Sequence, residues 1–504
     1  MNFSMILEHL FIVVTSLICS LLIGMPLGII AYLFPKSKNI ILKIVDIIQT
    51  IPSLALLGII MIVMGAGKGT VITGITLYSL LPIVRNTELG LENVDDGVKE
   101  SAKGLGMSKM MALFKVELPL AMPTILTGIR IAVINAVGTA VFAAFVGGGG
   151  LGAVITRSIR IHNMPMLFAG TGALIIMAFC FDMLLGYFEG KSRKSHNIGK
   201  VIWIPVAIIL VMFSCLLPTA IKPKEGLLLY DGDYTETQIM NQMIKSLVEE
   251  KTNLKVTIQD QMSQVNNFKS LKGDNHSCDM MISYDGSLLT TFLGLDPSDV
   301  PEGYTLYEYA NKIAKEKYNL RLLNKLGFDN TYCIAVSREI AEKYNLNKIS
   351  DLQAVAENLK FGAEHEFFTQ EGSMKFNPFV KFYDLSFKDV VSVDVSLKYT
   401  AAENRSFDVT IVYATDGLNQ KANLKVLEDD KNFFPEYNGA FLIREDTLEK
   451  FKSQAPNLEE VLNLLSNQIS NEDMVQMTYK VDVLGEQVSE VAKEFLKTKN
   501  LINS

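Results

Sequence analysis

Side chains capable of covalent or metal chemistry are present in this sequence but dispersed. Its five histidines, His9, His162, His196, His276 and His365, lie far apart, and its five cysteines, Cys19, Cys180, Cys215, Cys278 and Cys333, form neither a C-x-x-C pair nor a Cys/His cluster. Such spacing supplies no zinc site, and an odd cysteine count with three members in apolar runs implies no disulfide framework. There is no G-x-S-x-G nucleophile turn, so the chain carries no hydrolase signature, and no G-x-x-x-x-G-K-[ST] phosphate loop, so ATP hydrolysis has to come from a separate subunit. What remains is recognition chemistry. The 17 tyrosines offer electron-rich ring faces. Such faces bind a quaternary ammonium, which has no N–H to donate, with about 0.5 to 2 kcal/mol per face. A second pattern runs Glu100-Ser101-Ala102, then Gly106, then Val116-Glu117-Leu118-Pro119. Its small residues allow a partner to approach closely, Gly106 can take positive φ, and Pro119 starts a new element.

The elements that must position these residues fall into two halves. Of the 504 residues, 49% are hydrophobic and 20% charged, and the mean hydropathy of +0.24 is too high for an ordinary soluble protein of this length. Residues 1 to 217 carry nearly all the long apolar runs, and residues 222 to 504 carry most of the Asp and Glu. A net charge of −7, a pI near 5.5 and the lack of a basic stripe argue against nucleic acid as a partner.

The first half is expected to be an all-α membrane domain with about six spans, near 5–33, 40–64, 69–88, 121–146, 165–188 and 201–217. Lys36, Lys38 and Lys43 follow the first span, and Lys191, Arg193, Lys194 and Lys200 follow the fifth, so both loops should be cytoplasmic. Alternation then places loop 89–120 inside and everything beyond residue 217 outside. The run Gly147-Gly148-Gly149-Gly150-Leu151-Gly152 reads as non-helical backbone, which a membrane tolerates only where protein or a cavity covers it. Segment 201–217 resembles a signal sequence, but it is internal, and an uncleaved anchor is expected.

From Lys222 onward, strands alternate with helices: Leu227–Tyr230 and Lys255–Ile258 as strands around a helix over Glu236–Lys251, then a strand at Asp279–Ser283, and so on to Leu496. Alternating βα units predict parallel sheets with helices on both faces, and the length predicts an α/β domain of two lobes around a cleft.

Two resemblances give these halves a function. The pattern at 100–119 is similar, spacing included, to the Glu-Ala-Ala loop of bacterial ABC importer permeases, which docks into a cleft of the cytoplasmic ATPase. The resemblance assigns that docking to Glu100, Ala102, Gly106, Leu118 and Pro119. It also implies a homodimer of permease halves in the lipid bilayer, with two copies of the ATPase. In the second half, Gly327-Phe328-Asp329-Asn330-Thr331-Tyr332, Ile349-Ser350-Asp351-Leu352, Tyr413-Ala414-Thr415-Asp416-Gly417 and the run from Leu427 to Pro435 resemble the binding proteins for glycine betaine, carnitine and choline. A binding domain placed behind its own permease is similar to fused systems that include an ergothioneine branch. The resemblance implies a periplasmic-binding-protein-like fold and a box of four tyrosines, Tyr284, Tyr332, Tyr413 and Tyr437, for a trimethylammonium group.

The domains are therefore expected at 1–190 for the permease, 191–226 for a linker with the anchor, and 227–504 for the binding domain. Lobe one would take about 227–331 and 438–504, and lobe two about 332–437, with Tyr332 and Tyr437 near the crossings between them. Departures from the resemblance bear on the ligand. Asp285 and Ser287 replace residues of the family's Tyr-Thr-Gly-Thr run, the family glutamine falls on either Thr237 or Gln238, and an arginine is missing from Glu366–Gly372. Asp285 and Ser287 could then accept from the ring N–H of ergothioneine, a histidine betaine with a thione-bearing imidazole. No metal or cofactor is implied. A membrane-anchored sensor would have no use for the pattern at 100–119.

Overall fold

The computed structural model describes residues 3–65, 67–161, 163–194, 213–214, 225–232, 234–273, 277–369 and 372–503. The expected anchor at 201–217 thus lies outside the described residues apart from Phe213 and Ser214.

The first unit is a helical bundle. Three of its described helical stretches, Phe3–Leu33, Lys109–Val146 and Met164–Ser192, are long and apolar enough to cross a membrane. The span expected at 40–64 is instead two helices, Pro35–Thr50 and Ser53–Met64, which meet at 99°. Pro52 causes the break: it pushes Ile51 into extended backbone, with φ −72° and ψ 127°, and offers no N–H to continue the ladder. The span expected at 69–88 forms a helix, Lys68–Glu92, but it falls short of the apolarity of a lipid-exposed crossing. One face of it is buried against Phe3–Leu33, where Gly24 and Gly28 bring the two backbones close: a Cβ at Gly28 would stand 2.8 Å from the Val84 carbonyl oxygen.

Ion pairs gather the loops at each end of this bundle. At one end Lys38 pairs with Glu88 at 2.6 Å and Glu92 at 2.9 Å, and the Tyr32 hydroxyl donates to Glu117 at 2.8 Å. At the other, Glu8 pairs with Lys68 at 2.5 Å and accepts from the Gly150 N–H at 2.8 Å. The glycine run is buried, and non-helical over 147–150 with φ near +70° at Gly147, Gly149 and Gly150; its last two residues, expected to be non-helical as well, instead open the helix Leu151–Arg160. Residues 96–104 form a short helix capped by Asp95, and Gly106 turns the chain at φ +77°. The chain does not break at Pro119: Lys109–Ala112 passes through a π turn, Leu113–Glu117, directly into Leu118–Thr139. The wider turn places Pro119, which lacks an N–H, at a helical position where none is needed.

The second unit has its own cores. Strands β1 (Leu227–Gly232) and β2 (Val256–Met262) pair in parallel. Strands β3 (Met280–Tyr284) and β4 (Leu320–Leu322) flank β10 (Gly439–Arg444), and both pairings are antiparallel. The other sheet has the order β7-β6-β8-β5-β9, built from β5 (Tyr332–Ser337), β6 (Lys360–Glu364), β7 (Asp389–Val393), β8 (Val409–Tyr413) and β9 (Leu424–Val426). Here β6 is parallel to β7 and β8, but β5 is antiparallel to β8 and β9. The expectation of purely parallel sheets is therefore corrected. The exceptions, β5 and β10, each begin where the chain passes from one sheet to the other, and a strand that enters a sheet from its partner need not follow a βα crossover. The two passages lie side by side. Asp329 bridges Asn438, Asn330 N–H donates to the Tyr437 carbonyl at 3.0 Å, and Tyr437 N–H donates to the Asp329 carboxylate at 2.6 Å.

Candidate ligand cavity

A cavity of about 250 Å3 opens between these sheets, next to the two passages. Tyr284, Tyr413 and Tyr437 line it; Tyr332 is not among the lining residues but packs against Tyr413. The register of the strands puts them there. Tyr332 ends β5 directly opposite Tyr413 at the end of β8, and the two ring centroids are 5.2 Å apart. Tyr284 ends β3 opposite Gly439, which brings Tyr437 to it with centroids 6.2 Å apart and the rings stacked. Gly286 makes that stacking possible, because a Cβ there would stand 1.9 Å from the Tyr437 ring. Burial raises the hydroxyls of all four above the ordinary tyrosine value, so each stays a neutral phenol with an intact π face.

Ser287 lines the cavity, but Asp285 does not. The Asp285 carboxylate is turned away into a second cavity with Tyr307, Lys325 and Glu436, where it accepts from Asn438 N–H at 2.8 Å, Asn438 Nδ2 at 2.9 Å and Gly286 N–H at 2.8 Å. Its oxygens hold one of the passages in place, so the structure does not bring this carboxylate to the lining shared by the tyrosines. Neither Thr237 nor Gln238 lines the cavity: the Thr237 hydroxyl donates to the Tyr234 carbonyl, and the Gln238 amide donates to the Gly232 carbonyl.

The residue that faces the cavity at that point is Glu236. It accepts from the Tyr284 hydroxyl, from Thr415 Oγ1 at 2.5 Å and from Asn330 Nδ2 at 3.4 Å. These partners come from one sheet, from the loop after β8 in the other, and from a passage between them. Burial pushes its carboxyl up to about 7 in spite of the three donors. Lys398 was also missed. It is 2% exposed, Nζ donates to Glu364 at 2.7 Å, and it lies 5.1 Å from the Tyr413 centroid and 5.5 Å from that of Tyr399. Asp416 accepts from the Tyr399 hydroxyl at 2.6 Å and Asp482 from the Thr235 hydroxyl at 2.6 Å. The Glu236 position was legible only as an alignment ambiguity one or two residues along, and nothing local in the sequence marks Lys398.

A cavity with aromatic walls, a near-neutral carboxyl and a buried ammonium can hold a small ion that carries both an alkylated cation and polar groups. Comparison with known proteins agrees with that chemistry. Residues 231–498 match the family described as the substrate binding domain of ABC-type glycine betaine transport systems, and residues 21–194 match the binding-protein-dependent transport system inner membrane component. The chain is 29% identical to the ergothioneine transport permease/ergothioneine binding protein EgtU of Helicobacter pylori, over 95% of this chain and 87% of that one. It is 35% identical to the carnitine transport binding protein OpuCC of Listeria monocytogenes over 53% of this chain and 84% of the relative. The carnitine transport permease protein OpuCD of the same species is 39% identical over 38% of this chain and 87% of the relative. A crystal structure described as a glycine betaine/carnitine/choline ABC transporter covers 55% of this chain and all of its own at 28% identity, with a TM-score of 0.49. With one model matched over more than half the chain and the other over most of the remainder, this protein belongs to the betaine-type ABC importers, as a permease fused to its substrate-binding domain.

Proposed function

We propose that this chain imports a trimethylammonium zwitterion, with ergothioneine as the first choice. The observation that carries the ligand class is the pair of stacked rings, Tyr284 and Tyr437, on a cavity that also holds buried ionic groups. Ergothioneine is favoured by the similarity to a protein named for it, which runs through both halves of the chain. The polar lining supports it as well: Asp416 and Asp482 keep carboxylate lone pairs beyond those that their protein donors occupy, and these can accept from ring N–H groups. A second reading, an osmoprotectant importer for carnitine, glycine betaine or choline, is favoured by the 35% identity of the binding half to the carnitine-binding relative.

In this reading residues 1–190 form the permease, 191–226 the tether and 227–504 the binding domain, which lies outside the cell. Two such chains pair in the bilayer. Glu100, Ala102, Gly106, Leu118 and Pro119 dock a separate ATPase, supported by the exposed turn at Gly106 and by its place at the end of the bundle that holds Lys38. Calorimetry of the full-length protein in lipid nanodiscs with ergothioneine, carnitine, glycine betaine and choline tests the ligand. Heat from the osmoprotectants without heat from ergothioneine would move the assignment to the second reading, and no heat from any of them would remove both.

A further inference from the structure

The acidic groups on the cavity wall are already supplied with donors, whereas its lysine is not saturated with acceptors. Glu236, Asp416 and Asp482 each accept from named partners within the domain. Lys398 is equally buried, and an ammonium has three N–H donors. Among the described residues its hydrogen-bond acceptor is Glu364 at 2.7 Å, and its other close neighbours are the Tyr413 and Tyr399 rings. Two donors are left on a side chain shut off from bulk water, and leaving them unmet is costly. Lys398 lines the same cavity as the stacked pair Tyr284 and Tyr437, and among the described residues no lysine or arginine lies over either of those two rings.

We propose that Lys398 is the anchor for the ligand's carboxylate, and that it selects molecules carrying an anionic group in addition to a trimethylammonium. The inference rests on the trimethylammonium reading above and adds the polarity of the bound molecule. The cation lies toward Tyr284 and Tyr437, and the carboxylate lies toward Lys398. Glu364 is then a positioning residue that holds the ammonium at the wall. Lys398 sits in the helix Lys398–Glu403 just after a short 3-10 turn, and Glu364 ends β6, so the pair is set by the fold and not by a local motif.

Choline and glycine betaine make a matched test, since they differ chiefly in an alcohol against a carboxylate. Lys398→Met alone would strand the Glu364 charge, so the variant is Lys398→Met with Glu364→Gln, in full-length protein in nanodiscs, read by calorimetry and checked for a cooperative thermal transition. Affinity for glycine betaine, carnitine and ergothioneine should each fall about tenfold or more, while choline holds or tightens. A zwitterion-to-choline ratio that stays at the wild-type value overturns the anchor, as does an equal loss for all four. Lys398→Arg keeps the cation and supplies an independent reading if the double variant does not fold. It should keep the ratio within about threefold, and collapse of the ratio there also overturns the assignment. If wild-type protein binds none of the four compounds, the ligand class itself is wrong; if it binds them and only the variants behave otherwise than stated, the ligand class stands and the anchor falls.

Discussion

The two tyrosine pairs of the binding domain differ in what already occupies them. Tyr332 and Tyr413 come from adjacent strands of one sheet, and the Tyr413 face looks onto the buried ammonium of Lys398. Tyr284 and Tyr437 belong to the other sheet and to the passage leading back into it. A ring face that already has a cation of the protein has less to offer a second one, because the two positive charges repel at close range. In the proposed function the rings would form a graded surface, with the Tyr284 and Tyr437 side expected to carry the larger share of cation binding. Membership of the four-tyrosine set is a poor guide to that share, and the neighbours of each ring are a better one.

Several experiments would break or sharpen this contrast. The largest loss should come from Gly286→Val, because the added side chain meets the Tyr437 ring and unstacks the pair. Affinity for every trimethylammonium ligand is expected to drop by about a hundredfold, through loss of ring contact and strain in the loop, and titration calorimetry measures it. Tyr284→Ala should cost about 2 kcal/mol or more, since it removes a ring face and also a donor to buried Glu236. Tyr413→Ala is expected to cost about 1 kcal/mol or less by the same titration. Equal losses for Tyr284→Ala and Tyr413→Ala would erase the contrast.

Asp285→Ala should weaken all ligands by a similar, smaller factor, about threefold to tenfold, because it loosens the Asn438 passage and touches no ligand. A loss confined to ergothioneine would instead put that carboxylate in the cavity. At the small end, Gly106→Val should leave affinity unchanged within error while abolishing uptake in cells, since a β-branched residue cannot hold φ +77° at the exposed turn. Normal uptake at normal expression would detach that turn from ATPase docking.

Glu236 gives the contrast a pH dependence. Its carboxyl ionises near 7 when folded and near the ordinary value of 4.5 when unfolded. The unfolded chain therefore releases this proton first, and the contribution to stability declines as pH rises from about 4.5 to 7 and is constant above. The decline is on the order of 3 kcal/mol for this residue alone. Glu236→Gln should flatten the wild-type curve over that window by chemical denaturation, with the difference between the two curves as the readout, because Asp231 and Asp285 are also raised, to about 6, and slope the same way.

Much of this arrangement was legible in the sequence, and the parts that were not share a cause. The strands at Leu227 and Met280, the turn at Gly106 and the buried glycine run follow from local pattern. The bend at Ile51 and Pro52 does not emerge from an apolar run averaged over its length, since one proline barely changes the sum. The antiparallel β5 and β10 depend on passages that alternation of strand and helix cannot reveal. Lys398 is invisible because its partner Glu364 meets it only through β6 and a later helix. The turn of Asp285 away from the tyrosines is not legible because its partner Asn438 lies far along the chain.

The placing of Tyr332 against Tyr413 has a consequence for how such a site can change over generations. The two residues face each other because β5 and β8 are in a fixed register, so what is inherited is an alignment between distant segments. Length changes in the exposed loop 301–304 would leave that alignment untouched, whereas deletion of a single residue within Val409–Tyr413 would swing the strand residues after it to the opposite face. A library of single-residue deletions, selected for uptake, should show tolerance in the first region and a sharp gap in the second, and an even spread of survivors would mean that the rings are placed by something other than the pairing of those strands.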